Sequence, residues 1–481
     1  MKFLLSVAAS LPVLALAHGP GQHHVARQAP PVAAAAASSS AASTAASSAS
    51  SAAASAASAA TSAAAPSASV ATGAAPSLLS TNPTAVPLTS IAATAATAAT
   101  QSIPSPSAAG TKPTHISNAP GLPDASKLVV ANYPALDKTP PTDSPQVLQW
   151  IQDVKNSGIE IPGFSATVAG GCPANLDAVN DASRCWWTCG GCTRNTDITV
   201  CPNKLTWGLT YDDGPASYTP DLLNYLDSAK LKSTFYVVGS RALSYPGLLQ
   251  AEYLAGHEIS VHTWAHPQLT TLTNEQIIAE LGWTKKIIQD VLGVTPLYMR
   301  PPYGDIDDRV RAICKAMNLT PVMWTRISPT ATFDTEDFDI HGGTTTVNQV
   351  LNNWQNILSN ATSIDTGFIV LEHDLFQQTV EVATGYILPD ALAHKPAFDI
   401  KPVIECRGLT AGDSYLETNN NKTNPLPLSA TAAPTGAAQA SSSSVSGGSS
   451  SDSNGAWSMA PFTSGMVVAA AAAFGAAVIF V

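Results

Sequence analysis

The sequence of 481 residues predicts an α/β fold with parallel strands in the middle of the chain. Two observations carry this prediction. Short apolar runs alternate with segments of helical spacing, and repeated strand-then-helix order favours parallel strands joined by crossover helices. Polar motifs stand directly after the apolar runs, and α/β folds place their ligands at the carboxyl ends of the strands. We therefore expect the functional residues to meet at one edge of a sheet.

The predicted elements follow one another along the chain. Strands are expected from apolar runs bounded by turn or charged residues, at 205–211, 233–238, 258–262, 321–324 and 367–371. Helices are expected where apolar residues recur with helical spacing, at 220–227, 243–255, 274–292, 306–317 and 347–358. Thr273 with Gln276 three residues later resembles a capping box, which predicts the start of the third helix.

Composition separates this region from the rest of the chain. Residues 32–109 are almost wholly Ala, Ser, Thr and Pro, so they bury too little surface to offset the entropy of ordering. The sequence therefore predicts disordered, O-glycosylated Ser/Ala/Thr-rich stalks on both sides of one large domain. The predicted boundaries are a signal peptide at 1–17, a stalk at 18–123, a Cys-containing extension at 124–204, the main domain at 205–419, a linker at 420–454 and an anchor propeptide at 455–481.

Both ends carry apolar segments typical of targeting signals. Residues 3–16 precede a small-residue cleavage pattern that ends at Ala17, so we expect a secretory signal and export. Residues 466–481 are uncharged and shorter than the roughly 20 residues that span a bilayer core. They follow small residues around Asn454, which predicts GPI attachment there and anchoring to the outer face of the plasma membrane. A tail-anchored helix is the alternative, but no basic flank supports it.

Seven cysteines lie in the predicted folded region, at positions 172, 185, 189, 192, 201, 314 and 406. Export favours disulfides, and the odd number leaves one thiol unpaired. The spacing Cys185-x3-Cys189-x2-Cys192 also fits a zinc knuckle in another compartment. Sequons that predict N-glycosylation occur at Asn318, Asn360 and Asn421.

The formal net charge of −11 argues against nucleic acid as a partner, because binding to phosphates needs a basic face. An acidic surface suits a neutral or cationic polymer, and it also suits simple solubility of an exported protein. Charge by itself selects no function.

Two aspartates end the first predicted strand. Asp212 and Asp213 are followed at once by Gly214 and Pro215, so the pair lies in a turn in which both carboxylates can reach one cavity. Two carboxylates held close favour a division of roles, in which one binds a cation and the other handles a proton. An Asx turn that caps the next helix is the structural alternative.

Two histidines four residues apart end another predicted strand. Pro267 disfavours a helical conformation for His266, so we expect His262 and His266 to lie in an irregular loop. A purely structural pair is the alternative. Two histidines with a carboxylate from another strand leave open positions for water and substrate, as in a catalytic zinc site. Such a metal activates water near neutral pH and polarises a carbonyl, which indicates hydrolysis of an amide or ester.

Two later motifs supply further polar groups. In the rigid segment from Arg300 to Tyr303, the guanidinium is suited to hold a carboxylate and the Tyr303 N–H to donate to an oxyanion. His373 follows the apolar run at 368–371 and has the chemistry to protonate a leaving group. A histidine in a surface loop beside Asp374 is the structural alternative.

In this order, the motifs resemble those of fungal chitin deacetylases of carbohydrate esterase family four, the polysaccharide deacetylases with a NodB homology domain. The resemblance covers roughly residues 205–408, and the layout with stalks and an anchor resembles GPI-anchored mannoproteins of that family. It implies a distorted (β/α) barrel and a metal-dependent hydrolase that converts chitin to chitosan and acetate in the fungal cell wall. The ion it implies is Zn²⁺, with Co²⁺ or another divalent metal as the alternative. We expect the protein to be a monomer. On the family pattern the roles fall to the general base Asp212, the metal ligands Asp213, His262 and His266, the base-orienting Arg300, the oxyanion donor Tyr303, the acetate-pocket residue Leu371 and the general acid His373.

One region departs from the family pattern. Family members carry an acid shortly after a strand-end tryptophan, whereas Trp324 is followed by residues 325–329 without one. Trp324 itself fits the wall of a substrate groove. The acidic partner of Arg300 is therefore expected among Asp334, Asp337 and Asp339.

Two other functions stay open on the sequence alone. A xylan or other polysaccharide deacetylase of the same family would keep every site residue, and a non-enzymatic wall mannoprotein or adhesin would need only the stalks and the anchor. Trp186 and Trp187 either stack on sugar rings or pack against the disulfides.

Overall fold

The structure is a computed structural model that describes residues 75–419, all of them in one unit of the chain. Within that range no helix combines the length and the apolar character that a membrane span requires. The predicted signal peptide, linker and anchor, the first part of the predicted stalk, and the Asn421 and Asn454 sites lie outside the described residues.

Two sheets made only of parallel strands form the centre of the fold. The strands are β1 (Thr206–Gly208), β2 (Thr210–Asp212), β3 (Thr234–Val237), β4 (Glu258–Val261), β5 (Tyr298–Met299), β6 (Thr320–Pro321), β7 (Phe368–Ile369) and β8 (Asp399–Lys401). The larger sheet has the order β2-β3-β4-β5-β6 and the smaller one the order β7-β1-β8. The parallel α/β arrangement expected from the sequence is confirmed.

The chain passes from one sheet to the other at Leu209, between β1 and β2. The Leu209 N–H donates to the carbonyl of Lys401 in the smaller sheet, and its carbonyl accepts from Thr234 in the larger one, both at 2.9 Å. On the other side, parallel bridges join Asp212 to His373 and Asp334 to Leu371. The two sheets thereby form a distorted (β/α) barrel, and the single strand expected at 205–211 is two short ones.

Among the α-helices of the described residues, three lie in the extension before residue 205, and the others lie between or after the strands of the barrel in the chain. They are α1 (Pro145–Asn156), α2 (Gly171–Ala174), α3 (Leu176–Asn180), α4 (Thr219–Ser228), α5 (Gly239–Ser244), α6 (Pro246–Leu254), α7 (Asn274–Leu292), α8 (Asp308–Ala316), α9 (Asp339–Gly342), α10 (Val347–Ser363), α11 (Gln377–Val382), α12 (Leu388–Ala393) and α13 (Val403–Cys406). A π-helix at Ala383–Ile387 joins α11 to α12. The helix expected at 243–255 is divided into α5 and α6, because Pro246 opens a new helix at its first position.

The longest helix, α7, has the bounds that the sequence predicts. The Thr273 hydroxyl accepts from the Gln276 N–H and the Gln276 side chain accepts from the Thr273 N–H, so the capping box is confirmed. Gly293 ends the helix in the left-handed conformation (φ 78°) that glycine adopts without steric cost. Both ends of α7 are therefore defined by local sequence signals.

Disulfides organise the extension, as expected for an exported chain. They link Cys172 to Cys189, Cys185 to Cys192 and Cys201 to Cys406, whereas Cys314 is a buried free thiol. The zinc-knuckle alternative is excluded, because its three cysteines are consumed in disulfides. Trp186 and Trp187 are buried in the same region, which favours packing over stacking on sugars.

The prediction of a disordered stalk is wrong for residues 75–123, which we call the strap. Ile91, Ile116 and Leu122 of the strap are each at most 5% exposed and pack into the main hydrophobic core. These apolar side chains are few, but each is buried in the core and not exposed to solvent. Their burial is the physical reason that a composition typical of disorder is nonetheless ordered here.

Side chains of the barrel's helices satisfy the backbone of the strap, which has almost no regular structure of its own. Gln377 accepts from the Ala98 N–H at 2.9 Å, and Gln250 accepts from the Ser107 N–H at 2.8 Å. A Cβ atom on Gly247 would lie 2.2 Å from the carbonyl oxygen of Pro104, so only glycine admits the strap there. The main domain therefore includes a segment far upstream of residue 205.

Candidate active site

Three predicted metal ligands meet at the carboxyl ends of β2 and β4. One ligand atom each from Asp213, His262 and His266 lies within 4.8 Å of the others. Asp213 Oδ1 is 3.3 Å from His262 Nε2 and 3.1 Å from His266 Nε2. Both rings therefore face one carboxylate, as a shared metal ion would require, and the metal-ligand role of the three residues stays a prediction.

The hydrogen bonds around His262 indicate that this cluster suits a cation. His262 Nδ1 lies 2.7 Å from the backbone carbonyl of Arg300, which can only accept, so the ring proton is assigned to Nδ1. In the neutral ring, Nε2 is then a lone pair that faces the Asp213 carboxylate, which is also an acceptor. A proton or a metal ion between these two acceptors relieves their repulsion, and an Asp-His-His donor set fits a divalent metal with open positions.

The turn after β2 separates the two aspartates. Asp213 adopts a left-handed conformation (φ 81°), which turns its carboxylate toward the histidines instead of the opposite face of a regular strand. A Cβ atom on Gly214 would lie 2.2 Å from Asp374 Oδ2, so the turn requires glycine. Asp374 also accepts from the Thr219 hydroxyl at 2.6 Å and donates its N–H to the Asp212 carbonyl. The sequence analysis assigned no role to Asp374 beside His373. In the structure, the hydrogen bonds of Asp374 hold this turn in place, and we call Asp374 the brace of the turn.

Burial dominates the charge state of that brace. It raises the pKa of Asp374 to about 7, opposed by the Thr219 hydroxyl and reinforced by the charge of Asp213. Its neighbour in the same motif, Glu372, points into the protein and is fully buried. Burial, with the charge of Asp337, raises the pKa of Glu372 well above its ordinary value.

The carboxylate that pairs with Arg300 is that of Asp212. Arg300 Nη1 donates to Asp212 Oδ1 and to the Thr210 hydroxyl, both at 2.8 Å, and the guanidinium carbon lies 4.2 Å from the centre of the Tyr236 ring. The expectation that its partner would be Asp334, Asp337 or Asp339 is wrong. Both Asp212 and Arg300 are buried, so the pair is a charge-assisted hydrogen bond within the barrel.

Asp337 is instead the partner of His373. His373 Nδ1 lies 2.7 Å from Asp337 Oδ1, and the backbone N–H of His373 donates to Asp337 Oδ2 at 2.9 Å. Asp337 therefore holds the His373 ring through Nδ1, so that Nε2 lies on the side of the ring away from Asp337. The alternative of an exposed loop histidine is wrong, because His373 is 2% exposed. Asp337 stands far from both motifs in the sequence, so only its acidic character marked it as a candidate.

The other predicted site residues lie nearby with less distinct contacts. The Tyr303 ring packs on His266 with centroids 4.7 Å apart, and Tyr303 has a left-handed backbone (φ 60°). Trp324 donates from Nε1 to the Thr332 hydroxyl at 3.0 Å and is only 6% exposed. Leu371 is buried in the strand segment that bridges to Asp334. Oxyanion, groove-wall and acetate-pocket roles stay predictions for these three.

Two of the predicted glycosylation sites, Asn318 and Asn360, lie within the described residues. Asn318 is exposed just beyond the end of α8, and Asn360 is half-buried within α10. Both stay predictions, with Asn318 the more accessible.

A parallel barrel that combines at one edge an Asp-His-His cluster suited to a metal ion, an arginine-held aspartate and an aspartate-held histidine defines the protein as a hydrolase. The sequence profile of the polysaccharide deacetylase family matches residues 199–322, which include Asp212, the three ligands and Arg300. Chitin deacetylase 1 of Cryptococcus neoformans var. grubii is 53% identical over 330 residues, which cover 68% of this chain and 69% of that protein. The chain belongs to the polysaccharide deacetylase family.

Two further proteins are similar to parts of this chain. The chitin deacetylase of Amylomyces rouxii is 40% identical over 225 residues, covering 45% of this chain and 51% of that protein. Among solved structures, the chitin deacetylase from the fungal pathogen Colletotrichum lindemuthianum has 25% sequence identity and a TM-score of 0.40, covering 47% of this chain and 98% of that one.

Proposed function

We propose that this chain removes acetyl groups from N-acetylglucosamine units of chitin, leaving glucosamine units and acetate, with Zn²⁺ as the bound metal. The observation that carries the proposal is the separation of the two neighbouring aspartates: Asp213 faces the histidines and Asp212 is held by Arg300. The names of the similar proteins support chitin as the substrate.

A divalent metal held by Asp213, His262 and His266 would lower the pKa of a bound water and polarise the substrate carbonyl. Asp212 accepts the proton as the water oxygen bonds to the acetyl carbon. Since Arg300 engages Oδ1 of Asp212, the proton goes to Oδ2. The Tyr303 N–H is proposed to donate to the developing oxyanion.

His373 completes the reaction on the leaving nitrogen. Its Nδ1 is held by Asp337, so Nε2 is the atom that delivers a proton as the C–N bond breaks. The Asp337 carboxylate stabilises the positive charge that the ring carries before the transfer. The products are acetate and a free amine on the polymer.

Replacing Asp337 with asparagine is expected to lower kcat about 10²–10⁴-fold, the usual contribution of a positioned acid, without weakening metal binding. The amide loses the charge that stabilises the imidazolium, although it fills the same space. Initial rates of acetate release and zinc affinity measure the two effects. Asp334→Asn is the matched control, because it makes the same change on a half-buried acid of the same segment and its Oδ1 keeps its contact with the Glu336 N–H. Equal rates for both variants would contradict the role of Asp337 in supporting His373 as the acid.

Acetate release from a panel of acetylated glycans tests the proposed function as a whole. We expect release from chitin oligomers that a chelator abolishes and added zinc or cobalt restores, because the donor cluster has no catalytic substitute for the ion. Acetylated xylan in the same assay is expected to be a poorer substrate. Preference for xylan would reassign the substrate within the family, and release unaffected by the chelator would contradict the metal-dependent mechanism.

We further propose that the reaction takes place outside the cell, with the chain held at the wall and plasma membrane by a GPI anchor. The disulfides of the described region support export, and the apolar segments at both ends support the signal and the anchor. Protein that stays on intact cells after treatment with a phosphatidylinositol-specific phospholipase would count against the anchor.

A further inference from the structure

The loop that carries the two histidine ligands has an unusual backbone. Thr263 (φ 65°) and His266 (φ 60°) are both left-handed although neither is glycine. Such conformations persist only where the surroundings over-determine them. The contacts that impose this loop therefore bear on where the two imidazoles stand.

One buried carboxylate from α7 supplies the central contact. Glu280 Oε2 accepts from the Trp264 N–H at 2.7 Å and from the Ala265 N–H at 2.9 Å, and the side chain is fully buried. These are two of the three residues that separate the ligands in sequence. A single oxygen atom thus ties the middle of the loop to a long, capped helix.

The other side of the loop is held by α5. The Gly239 N–H donates to the Thr263 carbonyl at 2.9 Å, and the Ser240 N–H donates to the Trp264 carbonyl at 3.1 Å. Donors from α5 and the acceptor from α7 therefore hold the same two peptide groups, one through their carbonyls and the other through their N–H groups. Without Glu280, two N–H groups in the protein interior would lose their partner.

The extension adds a third support around Trp264. The Trp264 indole N–H donates to the Ala135 carbonyl at 3.0 Å, and the Tyr133 ring stacks parallel to the indole. Both residues precede the segment that matches the family profile. Trp264 therefore joins the extension, Glu280 and the ligand loop in one packed unit.

We propose that Glu280 is a positioning residue for the metal site, which sets the spacing of His262 and His266 by holding the backbone between them. The inference rests on the proposed function, because it assigns the loop a metal to bind. Glu280 does not touch the reacting atoms. Its role depends on oxygen as an acceptor and not on charge, since a neutral carboxyl or an amide oxygen accepts the same two N–H groups.

Zinc affinity of the purified full chain, measured by competition with a chelator, tests this inference together with the visible absorption spectrum of the Co²⁺-loaded protein. Glu280→Ala is expected to weaken zinc binding about 10–100-fold, the usual effect of losing an outer contact of a metal ligand, and to alter the Co²⁺ spectrum. Glu280→Gln is expected to keep both close to wild type. Glu280→Asp, whose shorter side chain cannot reach both N–H groups, is expected to resemble Glu280→Ala and serves if the alanine variant does not fold.

Asp390→Ala is the matched control for general destabilisation. Asp390 is a buried carboxylate on α12 that accepts from Trp354 and Gln355 and makes no hydrogen bond to the ligand loop. The Asp390→Ala variant is expected to have a lower melting temperature and an unchanged zinc affinity. Wild-type zinc affinity in both Glu280→Ala and Glu280→Asp, or equal weakening in Asp390→Ala, overturns the inference and leaves the proposed function intact. A wild-type chain that binds no zinc overturns both.

Discussion

Replacing Asp212 with asparagine is expected to reduce kcat/KM for acetate release about 10²–10⁴-fold and to leave zinc affinity close to wild type. The amide keeps an oxygen for Arg300 but cannot accept the proton of the attacking water. Asp212 Oδ2 is 3.7 Å from His262 Nε2, whereas Asp213 Oδ1 is within 3.3 Å of both histidines. Acetate release measured with excess zinc, together with zinc affinity, separates these two functions.

Asp213→Asn is the matched comparison, because it makes the same chemical change one residue along the chain. Its expected result is the reverse split: weak zinc binding, and activity that excess metal partly restores. Removing one charge of a buried ion pair costs about 3–5 kcal/mol, so thermal denaturation must show that Asp212→Asn is folded in the assay. If excess zinc rescues Asp212→Asn, then Asp212 is a ligand and the assignment of the two roles is wrong.

A chain that begins at residue 124 is expected to be far less stable than one that begins at residue 75. Ile91, Ile116 and Leu122 of the strap are buried, and each contributes about 1.5–3 kcal/mol relative to exposure. Loss of all three is comparable to the whole stability of about 5–15 kcal/mol typical of a domain. Urea denaturation followed by tryptophan fluorescence, with zinc present in both samples, measures the difference.

Point variants of the strap exclude an artefact of truncation. Ile91→Ala is expected to cost about 2–5 kcal/mol, as for other large-to-small changes in a core. Ile103→Ala is the matched control, because the same residue type is 41% exposed in the same strap. Coinciding denaturation midpoints for the two variants would mean that the strap does not contribute to the stability of the barrel.

The local sequence predicted the site residues that stand at or just after the end of a strand. Asp212, Asp213, His262 and His266 each come at or just after an apolar run, and parallel strands bring their carboxyl ends to one edge. The capping of α7 was equally readable, since Thr273 and Gln276 act within one turn of helix. In each of these cases the relevant partner lies a few residues away or on the same edge of the sheet.

The partners of the charged residues were not readable in this way. Arg300 pairs with Asp212, 88 positions earlier, and His373 pairs with Asp337, 36 positions earlier. Any of several acids has the chemistry for either contact, and only the packing of the barrel selects between them. Glu280 was hidden for the same reason, because it interrupts an otherwise ordinary helical pattern and its partners are backbone groups of another loop.

By itself, the sequence determined the α/β class, the order of the motifs and the residues that form the ligand cluster, because these depend on periodicity and on the ends of parallel strands. Only the tertiary structure decided that residues 75–123 are part of the fold. It also decided which carboxylate pairs with Arg300 and which one pairs with His373. The strap has no periodic pattern, and its contacts reach side chains such as Gln250, 143 positions away. Burial and hydrogen bonding across such separations arise from the packed chain, not from any local stretch of it.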